Sequence, residues 1–104
     1  MENDTYKTDI IFRVETEKDF KGTVFAIFPH DVCTRSGLVT TYQHVGQHSG
    51  GDYNRCITSS RLATKEESKA LKIELESLGY NVNVRQRRNY DKYLKSYHKV
   101  NRKT

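Results

Sequence analysis

The chain has 104 residues, of which 35% are hydrophobic and 30% charged, with a formal net charge of +5. A chain of this length builds one domain around a single modest core, which excludes an arrangement with two cores. Its apolar runs fall far short of the roughly 18 residues of a membrane-spanning helix, and its first residues, Met-Glu-Asn-Asp-Thr, lack the basic start and apolar stretch of a secretory leader. Cys33 and Cys56 therefore read as free thiols in a reducing compartment, with a bridge between them left open.

After a start of residues 1–8 expected to be flexible, residues 9–15 alternate as a strand, with Ile10, Phe12 and Val14 on one face. A polar connection over 16–22 ends at Gly22. Residues 23–28, Thr-Val-Phe-Ala-Ile-Phe, are apolar on both faces and predict a central strand covered on both sides. Pro29 is expected to end it, because proline has no N–H to give to the ladder. Residues 38–45, rich in β-branched and aromatic side chains, predict a third strand. The segment 42–53, which carries Gly46, Gly50, Gly51, His44 and His48, then reads as a loop leaving that strand.

Thr64 and Glu67 have the spacing of a capping box. Ala70, Leu71, Leu75 and Leu78 follow at helical spacing, and Gly79 stands where a helix needs a C′ residue. The Leu71/Leu75/Leu78 stripe is expected to be buried against a sheet. Tyr80, Val82 and Val84 alternate with polar residues and predict a half-buried strand. Beyond Arg88, Tyr90, Tyr93, Leu94 and Tyr97 share one helical face, while Lys92, Lys95, Lys99 and Arg102 fall almost opposite. The expected fold is α+β, in the order β-β-β-α-β. Its sheet is antiparallel or mixed, with one packed helix and a short basic C-terminal helix. A core over 9–86 is followed by a basic amphipathic tail over 87–104.

Charge is placed along the chain. Residues 1–31 carry four Lys/Arg against seven Asp/Glu, and residues 83–104 carry eight Lys/Arg against Asp91 alone. The basic end should attract polyanions or acidic surfaces.

Several segments together resemble a family of short proteins carried by tailed phages and prophages. They are Ile11-Phe-Arg, Ala26-Ile-Phe-Pro29, Tyr42-Gln-His-Val-Gly-Gln-His48, Asp52-Tyr53, Ala63-Thr-Lys-Glu-Glu-Ser and Glu74-Leu-Glu-Ser-Leu-Gly-Tyr80. The resemblance covers roughly residues 10–88. It carries no assigned activity and implies only provenance: expression in the cytoplasm of a bacterial host, or packaging in a virion.

Four kinds of chemistry are considered. His44, His48, Cys33 and Cys56 would make a zinc-type donor set, but the cysteines lie 23 positions apart, unlike any compact finger. The competing reading treats the cysteines as small buried hydrophobes and the histidines as partners of the loop backbone. Neither a metal nor a cofactor is expected. Gly46, Gly50 and Gly51, with Ser49, Thr58, Ser59, Ser60, Arg55 and Arg61, could form an anion nest, or the glycines could serve only to turn the chain. His48, Ser49 and Asp52 contain nucleophile and base letters but lie too close in sequence for triad geometry, so no enzyme is expected. The basic segment Arg85, Arg87, Arg88, Lys92, Lys95, Lys99 and Arg102 could neutralise phosphates without sequence preference. Its tyrosines could stack on single-stranded bases or dock onto the core.

The expected function is thus non-enzymatic binding to nucleic acid through that segment. The alternative is a protein-directed role, as an inhibitor of a host factor or as a structural virion component. It would use the loop residues Tyr42, His44, His48, Ser49, Asp52, Tyr53 and Arg55. No membrane partner is expected.

Overall fold

A computed structural model describes residues 7–43 and 48–102. The first strand, β1 (Thr8–Glu15), pairs antiparallel with β2 (Val24–Val32), placing Ile11 opposite Ile27 and Phe12 opposite Ala26. The strand begins one residue earlier than its pattern indicated. The polar connection holds a single 3-10 turn, Lys18–Phe20.

Strand β2 lies between β1 and β3 (Val39–Tyr42), and its two apolar faces are covered by different layers. Ala26 and Phe28 enter one hydrophobic cluster, while Phe25 and Ile27 enter another on the opposite face. Pro29 does not end the strand. The pairing register with β3 shifts between Phe28 and Val32, and the missing N–H falls within that irregularity, the kind of place where a strand tolerates proline.

The glycine-rich segment is corrected more deeply. His48–Gly51 is a strand, β4, paired antiparallel with β3 from Val39↔Gly51 to Tyr42↔His48. Glycine has low strand propensity, but here backbone pairing and close approach decide. A Cβ on Gly50 would lie 3.2 Å from the Cys33 sulfur, and one on Gly51 would lie 3.1 Å from the Cys56 sulfur. The expected strand residues 44 and 45 lie outside the described residues, as do Gly46, Gln47 and most of the expected flexible start.

Two short elements follow that no periodicity announced: α1 (Tyr53–Thr58) and β5 (Ser60–Leu62). Six and three residues are too few to show a period. Buried Arg13 ties them to β1. Its Nε donates to Ser60 Oγ at 2.7 Å, and its guanidinium reaches the carbonyls of Ser60 at 2.8 Å and Ile57 at 3.3 Å.

Helix α2 (Lys65–Ser77) starts at the expected capping box. The Glu67 N–H donates to Thr64 Oγ at 3.1 Å, and the Thr64 N–H donates to the Glu67 carboxylate at 2.9 Å. Arg61 grips the same carboxylate with two bonds of 2.9 and 2.8 Å, and these hydrogen bonds hold the Glu67 pKa down to about 2. Leu78 caps the helix and Gly79 follows at φ +105°, a conformation that glycine adopts without a Cβ penalty. Leu71 and Leu75 are buried as expected. Leu78 is not: it is 52% exposed, because the helix has already turned away from the sheet there.

The strand β6 (Val82–Val84) runs parallel to the first half of β1, while β5 pairs antiparallel with its second half. The result is a six-stranded mixed sheet ordered β4-β3-β2-β1, with β5 and β6 sharing the outer edge of β1. Helix α2 covers one face over Ile10, Phe12, Ala26, Phe28 and Tyr42. Helices α1 and α3 (Tyr90–Arg102) cover the other, over Ile11, Phe25, Ile27, Val32 and Val39. The fold is α+β as expected, but among the described residues it has three helices where one packed helix and a short tail helix were expected. The sheet separates two hydrophobic clusters where a single core was expected, because both of its faces are covered. Among the described residues no helix is long and apolar enough to cross a membrane.

Candidate nucleic-acid interface

Helix α3 is a docked element, and its aromatic face makes the dock. Tyr93, Tyr97 and Val100 pack on the second cluster. The Tyr90, Tyr93 and Tyr97 rings stack in sequence along the helix, with centroids 5.9 and 6.2 Å apart. Three polar bonds lock the register: the Val32 N–H donates to Ser96 Oγ at 2.9 Å, the Tyr93 hydroxyl to the Gly37 carbonyl at 3.2 Å, and the Asn101 amide to the Arg35 carbonyl at 3.2 Å. Of the two uses open to the tyrosines, docking is the one that holds for Tyr93 and Tyr97. Tyr90 alone of the three is more than half exposed.

The seven basic residues separate into three groups. Arg88 is drawn inward: its guanidinium lies 4.3 Å from the Tyr93 ring centroid, 4.4 Å from Tyr53 and 5.2 Å from Tyr90, and its N–H donates to the Tyr53 hydroxyl at 3.1 Å. It holds α3 to α1. Lys92 pairs with Asp9 at 3.2 Å. Arg85, Arg87, Lys95, Lys99 and Arg102 are exposed and form no ion pair among the described residues. Lys95, Lys99 and Arg102 follow at spacings of four and three, which puts them on one helical stripe away from the tyrosine dock. Asp91 is the one carboxylate within α3.

The proposed loop surface is dispersed by the sheet. Tyr42 is fully buried in the α2-side cluster, and its hydroxyl donates to the Glu74 carboxylate. His48 is exposed but packs by its ring on Tyr42, with centroids 4.7 Å apart, and bonds the Tyr80 hydroxyl at 3.1 Å. Tyr53 lies in the opposite layer under Arg88. Ser49 and Arg55 are exposed, and exposed Asp52 accepts the Cys56 N–H through its backbone carbonyl. Among the described residues of the segment, Tyr53 is the one that contacts the basic segment, through Arg88. His44 lies outside the described residues.

Among the described residues no three His, Cys, Asp or Glu side chains gather as a metal set. Cys33 and Cys56 are free and sit against successive residues of β4, whose side positions alternate between the two faces of the sheet. Burial pushes the Cys56 thiol pKa up, which makes it a poor nucleophile.

A polar network at the start of α3 had no signature in the sequence, since its members lie up to 83 positions apart. Asp9 accepts from Asn83 at 2.7 Å and from Lys92 at 3.2 Å, and it meets His30 Nδ1 at 3.1 Å. The Asn89 N–H donates to His30 Nε2 at 2.7 Å. A ring that accepts at Nε2 carries its proton at Nδ1, so His30 is neutral and donates to Asp9. Its second nitrogen is occupied by the Asn89 backbone N–H, so both nitrogens of this ring are engaged within the fold. Burial is the largest influence on His30 and pushes its pKa down; Asp9 pulls it up without restoring it. Burial likewise pushes Asp9 up, but the bonds from Asn83 and Lys92 outweigh it and the carboxyl ends below its ordinary value.

Both shifts make acid destabilising. His30 stays neutral in the fold but protonates near pH 6.5 when unfolded, so its contribution is whole above that value and is lost as pH falls below it; Asp9 acts in the same sense below about pH 4. Protonated His30 would also drop the Asn89 N–H. Between pH 7.5 and 5.5 the Tm is expected to fall, with lower amide protection factors at Asn89–Tyr93 once the intrinsic exchange rate at each pH is divided out, and a His30→Gln variant should show a flatter profile. An equally steep profile in the variant would remove His30 as the cause.

Comparison with protein-family models, with curated proteins and with solved structures gave no match.

Proposed function

We propose that the chain is a non-enzymatic nucleic-acid-binding protein that contacts backbone phosphates through Lys95, Lys99 and Arg102 of α3, with Arg87 and Arg85 at the approach to the helix. One observation carries the reading: the tyrosine face is consumed by docking, so the basic stripe is presented outward on a fixed helix. From Lys95 to Arg102 a helix rises about 10 Å. One strand of a B-form duplex presents about three phosphates over that axial length. Contacts of this type position a protein on nucleic acid without reading sequence. With Tyr93 and Tyr97 docked, base stacking has little part, and duplex is favoured over single strands. The resemblance to tailed-phage proteins supports a setting in a bacterial host cytoplasm or a virion.

Fluorescence anisotropy with a duplex of mixed sequence, from 50 to 200 mM salt, tests the reading. Replacing Lys95, Lys99 and Arg102 together by alanine should weaken binding about tenfold or more at low salt. The slope of log K against log salt should shrink by about three. An unchanged slope and affinity would sink the proposal.

A second reading has one observation behind it. Among the described residues strand β4 ends the sheet, and its His48-Ser49-Gly50 stretch is exposed with little side-chain bulk at Ser49 and Gly50, the kind of edge onto which a partner protein adds a strand. Capture of a host or virion protein that survives nuclease treatment and is lost on Ser49→Pro would favour it.

A further inference from the structure

The sheet carries a second feature on the α2 side that the basic helix does not use. Because β5 and β6 pair with different halves of β1 and no ladder joins them, a cleft of about 620 Å3 opens between them. Its apolar surface comes from Phe12, Leu62, Ala63 and Val84. Leu62 and Val84 remain 40% and 53% exposed, although each stands beside a well-packed core. Cations surround the cleft: Lys65, Lys69 and Lys72 from α2 on one side and Arg85 on the other, against Glu66 as the one carboxylate. Lys72 pairs with Glu76, whereas Lys65, Lys69 and Arg85 have no ion pair among the described residues.

We propose that this cleft binds a small anionic amphiphile, an acyl chain ending in a carboxylate. Each half of the proposal follows from a different part of the lining. The volume lies in the range of small-molecule sites, and such sites combine mostly apolar walls with a few placed polar groups. The aliphatic side chains of Leu62 and Val84 suit a flexible hydrocarbon tail, and covering them removes apolar surface from water. Lys65 and Lys69 stand one helical turn apart on the same face of α2 and meet Arg85 across the cleft, so an anionic head is drawn to that rim from both sides. A bare phosphodiester backbone has no apolar body to place on Leu62 and Val84. A cationic amphiphile would meet the same rim with repulsion.

The cleft lies on the α2 side, whereas α3 covers the other face of the sheet, and the two proposed sites share Arg85 alone. Amide chemical shifts of the full chain, followed during titration with laurate below its micelle concentration, test it. Saturable shifts centred on Phe12, Ala63 and Val84 are expected. Dodecyltrimethylammonium, with the same tail and the opposite charge, should bind at least tenfold more weakly. The Lys65→Glu/Lys69→Glu variant changes two exposed positions and should fold as the parent does, confirmed by the same spectra. It should lose laurate affinity at least tenfold while its preference between the two amphiphiles narrows or reverses. Any of three results overturns the proposal: no saturable shift, equal binding of anion and cation, or shifts centred away from the cleft. A short oligo-dT that moves the same amides and displaces laurate would assign the cleft to nucleic acid instead.

Discussion

A Gly37→Ala substitution is expected to destabilise the fold by about 2–4 kcal/mol and to loosen α3. Two penalties combine at this position. Gly37 has φ +97°, in the region where a side chain is strained by about 1–2 kcal/mol. An added Cβ would also lie 2.6 Å from the Tyr93 hydroxyl, which donates to the carbonyl of the same residue. Overpacking of this kind typically costs about 1–3 kcal/mol. Tyr93 cannot simply swing away, because its ring is stacked on Tyr97 and lies under the Arg88 guanidinium. A double-mutant cycle separates the terms. Tyr93→Phe removes the clashing oxygen, so Gly37→Ala should cost only about 1–2 kcal/mol in that background, the part due to backbone strain. Urea unfolding measures both. A single-mutant cost of only about 1–2 kcal/mol, unchanged in the Tyr93→Phe background, would show that α3 does not dock on the turn before β3. Since the same docking presents Lys95, Lys99 and Arg102, duplex affinity should fall along with stability.

Leu75→Ala should cost about 2–5 kcal/mol, and Leu78→Ala less than about 1 kcal/mol. The two leucines look equivalent in the helical pattern, but the fold treats them differently. Leu75 is fully buried among Ile10, Phe12, Ala26, Phe28 and Tyr42 and leaves a cavity when truncated. Leu78 caps α2 and is half exposed, so little burial is lost. Neighbouring Glu74 accepts the buried Tyr42 hydroxyl, so α2 is held to the sheet on the same side by a polar anchor as well. Thermal or denaturant unfolding of the pair discriminates. Equal costs would mean that α2 sits on the sheet at a different rotation.

The readings that held were local ones. Thr64 and Glu67 satisfy each other's backbone donors within one turn, so their geometry is written in four consecutive residues. Gly79 supplies a positive φ at a helix end for a reason that needs no distant partner. The apolar character of Val24–Phe28 on both faces already implied two covering layers, and α2 and α3 provide them. The division of the C-terminal segment into a tyrosine side and a lysine side followed from helical period alone.

What failed depended on contacts between distant residues. The glycine-rich stretch looked like a loop, because strand propensity penalises glycine. Pairing with β3, and sulfur atoms that leave no room for a Cβ, made it a strand. Pro29 looked like a stop, because its context as an isolated residue hides the register shift that accommodates it. Arg88 and Lys92 were indistinguishable from Lys95 and Lys99 as charges. Only the fold shows that Arg88 is stacked among three rings and Lys92 is tied to Asp9.

By itself, then, the sequence determined an α+β domain with a well-capped central helix, a doubly covered strand and a basic amphipathic end, since each rests on period, capping or composition over a few neighbouring residues. Tertiary structure alone decided which basic residues remain available to a partner, that Tyr42 and Tyr53 belong to opposite layers, and that β5 and β6 leave a cation-rimmed cleft between them. Those outcomes arise because a sheet brings together residues dozens of positions apart, and no local pattern records which of them will meet.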